Sequence, residues 1–352
     1  MYSRLVKNLL HVVLLILSPL VSGQDASERP IWSSNSLQRT REPYFGTQQS
    51  HEIWVENSIT ISDLKRWFRI HKPASYTQGA PVVVLLHGAT QSMRKVFGPK
   101  ARATKEWLTI SEKYGFLLVV PNGMNMKTGD TYGDNQTWND GRPGLKSSKL
   151  PHDDVAFIRE LLEYVHTSYH PDMSHVYVTG ASNGGHMTNR LVMESPELFS
   201  AAAPFIANVQ TWIPRVPKPE VPTPLLIGLG TEDRLNKFQG GSGLGRVENL
   251  SAEETESFWV KTNSARLIPQ KSVLPDLDPQ DSCRIVLNKH DALPGCAPVH
   301  FYVMRGMGHQ MPSIKHRIPD NFLIRQIFGN GCHDAEAAEM AWKFFQRYGV
   351  KR

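Results

Sequence analysis

Cysteine is scarce in this chain: three occur in 352 residues, Cys283, Cys296 and Cys332. They form no C-x-x-C pair and no Cys/His pattern of the kind that holds structural zinc, so no metal is expected. In an exported protein a cysteine pair closes a disulfide. Cys283 with Cys296 would staple one loop and leave Cys332 odd; Cys296 with Cys332, or three free thiols, are the alternatives.

A membrane-spanning hydrophobic run is also missing. The apolar stretch near the start, about Leu9 to Val21, is roughly 13 residues where a span needs about 20. It follows Arg4 and Lys7 and ends at Ser22 and Gly23, so residues 1–23 are expected to be a cleaved signal peptide, and the mature chain to be secreted or periplasmic, without a membrane partner. No cysteine lies near that point, which leaves a lipoprotein anchor unsupported.

Charge of one sign is modest. The formal charge of +6 falls to about +4 once Arg4 and Lys7 are removed, and the remaining basic residues are scattered, which argues against a nucleic-acid partner. There is no internal repeat and no low-complexity linker. A polar extension without clear periodicity covers residues 24–50, and a single catalytic-size domain is expected over 51–352.

What is present alternates. Residues 51–70 show period-two patterning and predict a hairpin. PVVVLLHG (81–88) and FLLVVP (116–121) are all-apolar strands of the type buried in parallel sheets. The run after Asp153 carries Val155, Ile158, Leu161, Leu162 and Val165 at helical spacing, with acids in its first turn where the helix dipole favours them. Strands are further predicted at 175–180, 224–230 and 299–304, and helices at 106–115, 184–195, 251–262 and 334–349. Such alternation means βαβ units, an α/β class and a mostly parallel sheet covered on both faces.

Within this frame, Gly180-Ala181-Ser182-Asn183-Gly184 satisfies G-x-S-x-G with a strand before it and a helix after, the context of a nucleophile elbow. The competing Ser242 in GGSGLG (240–245) has Leu244 where glycine is required, and that run is expected to be a flexible loop. A serine hydroxyl needs a base, and the base an orienting acid. Asp233, just past the strand at 224–230, is the candidate acid, with Glu232 as runner-up. His309, following the strand at 299–304 after Gly306 and Gly308, which permit a tight loop, is the candidate base ahead of His290, His300, His316 and His333. His87 precedes the serine at a strand end and is expected to be structural. Backbone N–H groups of Asn183 and of Ala89 or Thr90 are the candidate oxyanion donors, while the Asn183 side chain is expected to contribute little.

LLHGATQS (85–92), TWND (137–140), HDDVAFIREL (152–161), VYVTGASNGGHMT (176–188), GTED (230–233), ESFWVKTN (256–263) and GMGHQMP (306–312) resemble, in order, the secreted esterase family of polyhydroxybutyrate depolymerases, feruloyl esterases and acetylxylan esterases. The resemblance implies an α/β-hydrolase fold, no cofactor, hydrolysis of a small ester, a polyester or a plant cell-wall polysaccharide ester, and Ser182, Asp233 and His309 as the triad. It also implies that Trp138 and Asn139 lie near the mouth of the site, against the alternative of a buried structural tryptophan. Gln310 and Met311 stand where that family commonly carries an aromatic residue after the histidine, a departure on the substrate side. A secreted peptidase of the same fold, or a non-catalytic binding protein on this scaffold, are the competing functions.

Overall fold

The computed structural model describes residues 53–142, 152–243, 248–317 and 322–349, with backbone alone for 322 and 323. The expected signal peptide and the 24–50 extension lie outside the described residues.

A hairpin opens the described chain. β1 (Val55–Ile61) pairs antiparallel with β2 (Leu64–His71) through a turn in which Ser62 and Asp63 both take positive φ. The apolar runs then become β3 (Val82–Leu86), β4 (Leu117–Pro121), β5 (Val176–Ala181), β6 (Ala201–Phe205), β7 (Leu225–Gly230) and β12 (Val299–Arg305), which form the parallel centre of the sheet in the order β4-β3-β5-β6-β7-β12. On the far side β11 (Arg284–His290) and β10 (Gln270–Val273) add antiparallel edges, so that β1-β2 closes one end of a ten-stranded sheet and β11-β10 the other. Strands β3 to β7 are buried on both faces, which is why they read as continuous apolar runs rather than alternating ones.

Helices cover both faces. One apolar core, with Phe157, Leu161, Met187, Leu191 and Trp259, lies under α2 (Asp154–Tyr169), α3 (Asn183–Glu194) and α4 (Ala252–Thr262). The other, with Trp107, Ile110, Trp342 and Phe345, lies under α1 (Glu106–Tyr114) and α6 (Ala337–Phe345); a short α5 (Phe322–Phe328) stands near the sheet's carboxyl edge. Local signals set the helix ends: Ser251 and Glu254 make a reciprocal capping box at α4, and Gly115 and His170 close α1 and α2 in the left-handed conformation. At α2 the two acids divide their work. Asp153 is the cap, accepting from Val155 and Ala156 N–H, whereas Asp154 points inward to Arg66 at 2.6 Å.

Three features depart from expectation. β6, Ala-Ala-Ala-Pro-Phe, carries no strand signal, and Pro204 lacks the N–H that a central strand supplies; the ladder to β7 accordingly pairs Ala202 with Leu225 and Phe205 with Gly228 and skips the proline. Residues 241–242 of GGSGLG form a two-residue strand, β8, paired with β9 (Glu248–Asn249), rather than a free loop.

The third is the disulfide, which joins Cys283 to Cys332 and leaves Cys296 free. Neither expected pairing forms. Cys283 and Cys296 flank opposite ends of the seven-residue β11, roughly 20 Å apart at about 3.4 Å per residue. Cys332 instead follows Asn330, which bridges Met307 beside the start of β11. The bridge spans 49 residues, so its loss is expected to cost about 4 kcal/mol by loop-closure entropy. Denaturant unfolding of a Cys283→Ser, Cys332→Ser double variant measures this, and an unchanged midpoint would show that the bridge does not constrain the unfolded chain.

Candidate active site

Three strand ends converge at the carboxyl edge of the sheet. Ser182 ends β5 at φ 58° and ψ −122°, a conformation that L residues seldom adopt and that the turn into α3 imposes. The turn closes because two neighbours lack a Cβ. One at Gly180 would meet the Gly184 carbonyl at 2.5 Å, and one at Gly184 would press into the Leu86 and His87 carbonyl oxygens, the latter at 2.6 Å. Ser182 N–H is tied to Phe205 O on β6 at 3.0 Å.

The loops after β7 and β12 hold one another. Thr231 and Glu232 N–H donate to the Met304 and Met307 carbonyls, and Gly306 N–H donates to Thr231 Oγ1 at 2.9 Å. Gly306 turns the chain at φ 79°, and His309 N–H is anchored on Phe328 O. Asp233 thereby faces His309. Its Oδ2 lies 2.7 Å from Nδ1, and Nε2 lies 2.8 Å from Ser182 Oγ. Asp233 Oδ1 accepts from Leu235 and Asn236 N–H, both at 2.8 Å, so the carboxylate cannot rotate away from the imidazole. Glu232, the runner-up, is exposed to solvent. With Oδ2 an acceptor, Nδ1 carries the proton and Nε2 is left to accept from the serine hydroxyl.

The remaining histidines are engaged elsewhere. His290 bonds Arg266 O and Glu256, His316 meets Glu106, and His333 contacts Ser313 O. His300 packs inside β12 against Phe344, where burial pushes its pKa down to about 4. His87 is buried, contacts Gly88 O through Nδ1 and accepts Gly123 N–H at Nε2. Burial holds it neutral, at about 4, as a structural tie. His186, one helical turn beyond Ser182, is likewise kept neutral by burial and by the nearby Arg142 and His309.

Of the candidate oxyanion donors, Asn183 and Ala89 have no backbone acceptor for their N–H among the described residues. Asn183 is the first residue of α3, where the backbone N–H has no intrahelical partner. Ala89 is exposed just after Gly88, where an added Cβ would come within 3.8 Å of Ser182 Cβ. Thr90 is excluded: its N–H donates to Gln136 O at 2.8 Å because the turn folds back onto the β-bridges at Gln136 and Thr137.

The Asn183 side chain does more than expected. It is buried, its Oδ1 accepts Trp138 N–H at 2.7 Å, and its Nδ2 donates to Trp138 O and to Asp140 Oδ2 at 2.7 Å. Asp140 is itself fully buried and receives both Nε and Nη2 of Arg142, at 2.9 and 2.6 Å. Nothing in the 137–142 stretch marks Asn183 as its partner locally, since these bonds to Asn183 span more than forty positions.

The substrate-side expectations change accordingly. Trp138 is not at the mouth: it is wholly buried, stacks on His87 and donates Nε1–H to His87 O at 2.9 Å. Asn139 fastens its loop through Asp154, Gly141 and Arg190. Gln310 is buried with Nε2 on Gly329 O, and Met311 packs against the second core.

A family comparison matches the chain over residues 61–289, the span from β1 through β11. The protein belongs to the Esterase family. Among curated relatives, this esterase is 28% identical over 134 residues to poly(3-hydroxyalkanoate) depolymerase C of Paucimonas lemoignei, covering 38% of the chain and 29% of that protein. It is 28% identical over 133 residues to acetylxylan esterase A of Aspergillus awamori (38% and 39%) and 27% over 124 residues to feruloyl esterase B of Neurospora crassa (35% and 38%). The matches thus span well under half of those relatives. In structure the esterase is similar to the acetyl xylan esterase from Aspergillus awamori, with a TM-score of 0.50 at 17% identity over 78% of this chain and 99% of that one. An S-formylglutathione hydrolase from Agrobacterium tumefaciens matches at TM-score 0.50 and 13% identity, over 86% and 99%. The shared architecture is the α/β-hydrolase fold expected from the sequence.

Proposed function

We propose that this esterase is a secreted serine hydrolase that cleaves carboxylic esters through Ser182, His309 and Asp233. The observation that carries this proposal is the unbroken chain from Asp233 Oδ2 through the His309 ring to Ser182 Oγ, at 2.7 and 2.8 Å, on three separate loops at one sheet edge. His309 Nε2 takes the proton as Oγ attacks the ester carbonyl. The tetrahedral oxyanion is met by Asn183 and Ala89 N–H, and collapse returns the proton to the departing alcohol. Water, deprotonated in turn by Nε2, attacks the acyl-enzyme and releases the acid. Asp233 keeps Nδ1 protonated and stabilises the imidazolium.

The names of the relatives favour acyl groups of the acetyl, feruloyl or hydroxyalkanoate type. Export is supported by the leader-like first residues and by a disulfide, which persists in oxidising compartments. No helix among the described residues is long and apolar enough to cross a membrane. A panel of feruloyl, acetyl and hydroxybutyrate esters, run beside matched amides and a fluorophosphonate probe, tests the proposal. Ester turnover with labelling at Ser182 is expected. Preferential amide cleavage would make the protein a peptidase, and failure of the probe to label would make it a non-catalytic binder.

A further inference from the structure

The turn that follows Asp233 sends one polar side chain into the protein. Arg234 and Lys237 are exposed and Leu235 is half-buried, whereas Asn236 is 4% exposed. We propose that the Asn236–Asn208 carboxamide pair holds Asp233 at its working distance from His309 and Ser182, which makes both asparagines positioning residues for ester hydrolysis. The proposal rests on the Ser182–His309–Asp233 reading and adds to it a part that the triad motif does not contain.

Three observations carry the proposal. First, the direction of each bond in the pair is forced. Asn208 Nδ2 donates to Leu250 O at 2.7 Å and to Lys237 O at 3.1 Å, and carbonyl oxygens only accept. Asn208 must therefore turn Oδ1 to Asn236, whose Nδ2 donates to it at 2.8 Å. That leaves Asn236 Oδ1 as an acceptor, and it takes Asn249 Nδ2 at 3.1 Å. An amide flip at either residue would set like against like, so the buried pair admits one arrangement. Second, Asn236 also touches the acid. Its backbone N–H donates to Asp233 Oδ1 at 2.8 Å, while Oδ2 addresses His309 Nδ1 at 2.7 Å. Where the Asn236 side chain is held, the carboxylate is held too. Third, Asn208 is fixed from the serine's side. Phe205 O accepts Ser182 N–H at 3.0 Å, Asn189 Nδ2 on α3 donates to Ala207 O at 3.3 Å, and Ile206 between them stands at φ 46°. A β-branched residue seldom takes that left-handed conformation, and such strain persists where surrounding contacts over-determine it. It turns the chain at the end of β6, and Asn208 meets the loop after β7.

Serine and acid are thus joined by a second route, from Ser182 through Phe205, Asn208 and Asn236 to Asp233, that does not pass through the imidazole. Loss of the pair lets the turn relax. Asp233 then holds the Nδ1–H less tightly, and the imidazolium formed as Ser182 attacks loses part of its stabilisation. Ground-state binding of the ester uses none of these side chains.

The test compares p-nitrophenyl acetate turnover by the purified full chain with that of Asn236→Ala, Asn208→Ala and the double variant, each normalised to the fraction of Ser182 that a fluorophosphonate labels. kcat and kcat/KM are expected to fall together by about tenfold to a hundredfold with KM unchanged, and the double variant to lose no more than Asn208→Ala alone. The low-field proton NMR signal of the Nδ1–H shared with Asp233, identified by its absence in His309→Gln, is expected to move upfield in both single variants, because a looser hydrogen bond deshields its proton less. Asn263→Ala is the comparator, since that buried asparagine donates to Thr223 O at 2.7 Å, ahead of the amino end of β7. It should lower Tm and leave turnover and the low-field signal in place. Parental turnover per labelled site in Asn236→Ala overturns the proposal, as does an unmoved low-field signal or losses that multiply in the double variant. If Asn208→Ala does not fold, Asn236→Ala decides alone. Full activity of Ser182→Ala would overturn the triad reading and this inference with it, whereas a serine-dependent parent beside an unaltered Asn236→Ala variant sinks this inference only.

Discussion

Ser182→Ala is expected to lower ester turnover by about 10⁴- to 10⁶-fold while leaving the fold intact. The loss is large because Oγ is the atom at the β5 elbow that the His309 ring addresses, at 2.8 Å. Without it the oxyanion donors and the imidazole can at best direct water, which leaves only the residual catalysis of positioning. Stability should hold for a separate reason. Alanine inherits the φ of 58° that serine already accepts, and Ser182 is half-buried, so the vacated His309 nitrogen can bond water. Turnover of a p-nitrophenyl acetate solution and a thermal melt of the same sample check both halves. Full retained activity would remove Ser182 from the mechanism, whereas a collapsed melt would make the elbow structural.

The largest effect on stability is expected at Asp154. Its side chain is fully buried against Arg66, itself 1% exposed, at 2.6 Å, and it also accepts Asn139 N–H at 2.7 Å and neighbours His152. Asp154→Ala strands a guanidinium in the interior and releases the 137–142 loop, which should cost about 3–5 kcal/mol. For a chain of this size that is a fall on the order of 5–10 °C in Tm. A hydrophobic pair, Asp154→Leu with Arg66→Met, should recover much of the loss, because the penalty lies in the unpaired charge more than in the missing attraction. If the double variant is as unstable as the sum of the singles, the hydrogen bond to Asn139 is the dominant contribution instead.

The same carboxylate has a pH signature. Burial opposes its ionisation, but Arg66 and His152 overcome that and hold its pKa below the ordinary 3.8. A depressed folded-state pKa contributes stability that is complete above the unfolded value and is lost as pH falls toward the folded one. Glu56 behaves alike: burial is outweighed by hydrogen bonds from Arg94 and Arg69, which bring it to about 2. Acid unfolding should therefore begin below about pH 4.5, and Asp154→Ala should flatten the steepest part of that curve.

The opened loop matters for catalysis as well. Asn139 and Asp140 join Asp154 to Asn183 through consecutive hydrogen bonds, so the residue proposed to offer the oxyanion N–H is held from behind by a buried charge pair. The sequence carries two Asn-x-Ser/Thr glycosylation sequons, Asn135-Gln136-Thr137 and Asn249-Leu250-Ser251, and the second is closed by the same logic of burial. Its side chain is 6% exposed and donates to Asn236, while Asn135 of the other sequon lies at the surface.

Much of this protein is written locally. Period-two alternation, all-apolar runs and a cap at Asp153 need only neighbouring residues, and they mark the first hairpin, the buried strands and α2 before any contact is known. The elbow is legible for the same reason: Gly180, Ser182 and Gly184 meet a steric requirement within five residues, and the chain order of Ser182, Asp233 and His309 follows from strands that announce themselves. Even so, β6 stayed hidden, because three alanines and a proline become a strand only between β5 and β7.

What the tertiary structure alone decided lies at longer range. It chose Cys332 over Cys296 as the partner of Cys283, since a straight strand separates the two nearer cysteines. It spent the Thr90 N–H on Gln136, buried Trp138 behind His87, and tied the Asn183 side chain to Asp140. It also brought the Asn236 side chain to Asn208, 28 residues away, in a pattern that no spacing rule contains. Each of these depends on which donor meets which acceptor once sheet order and twist are in place, and sequence neighbours carry no record of that distance.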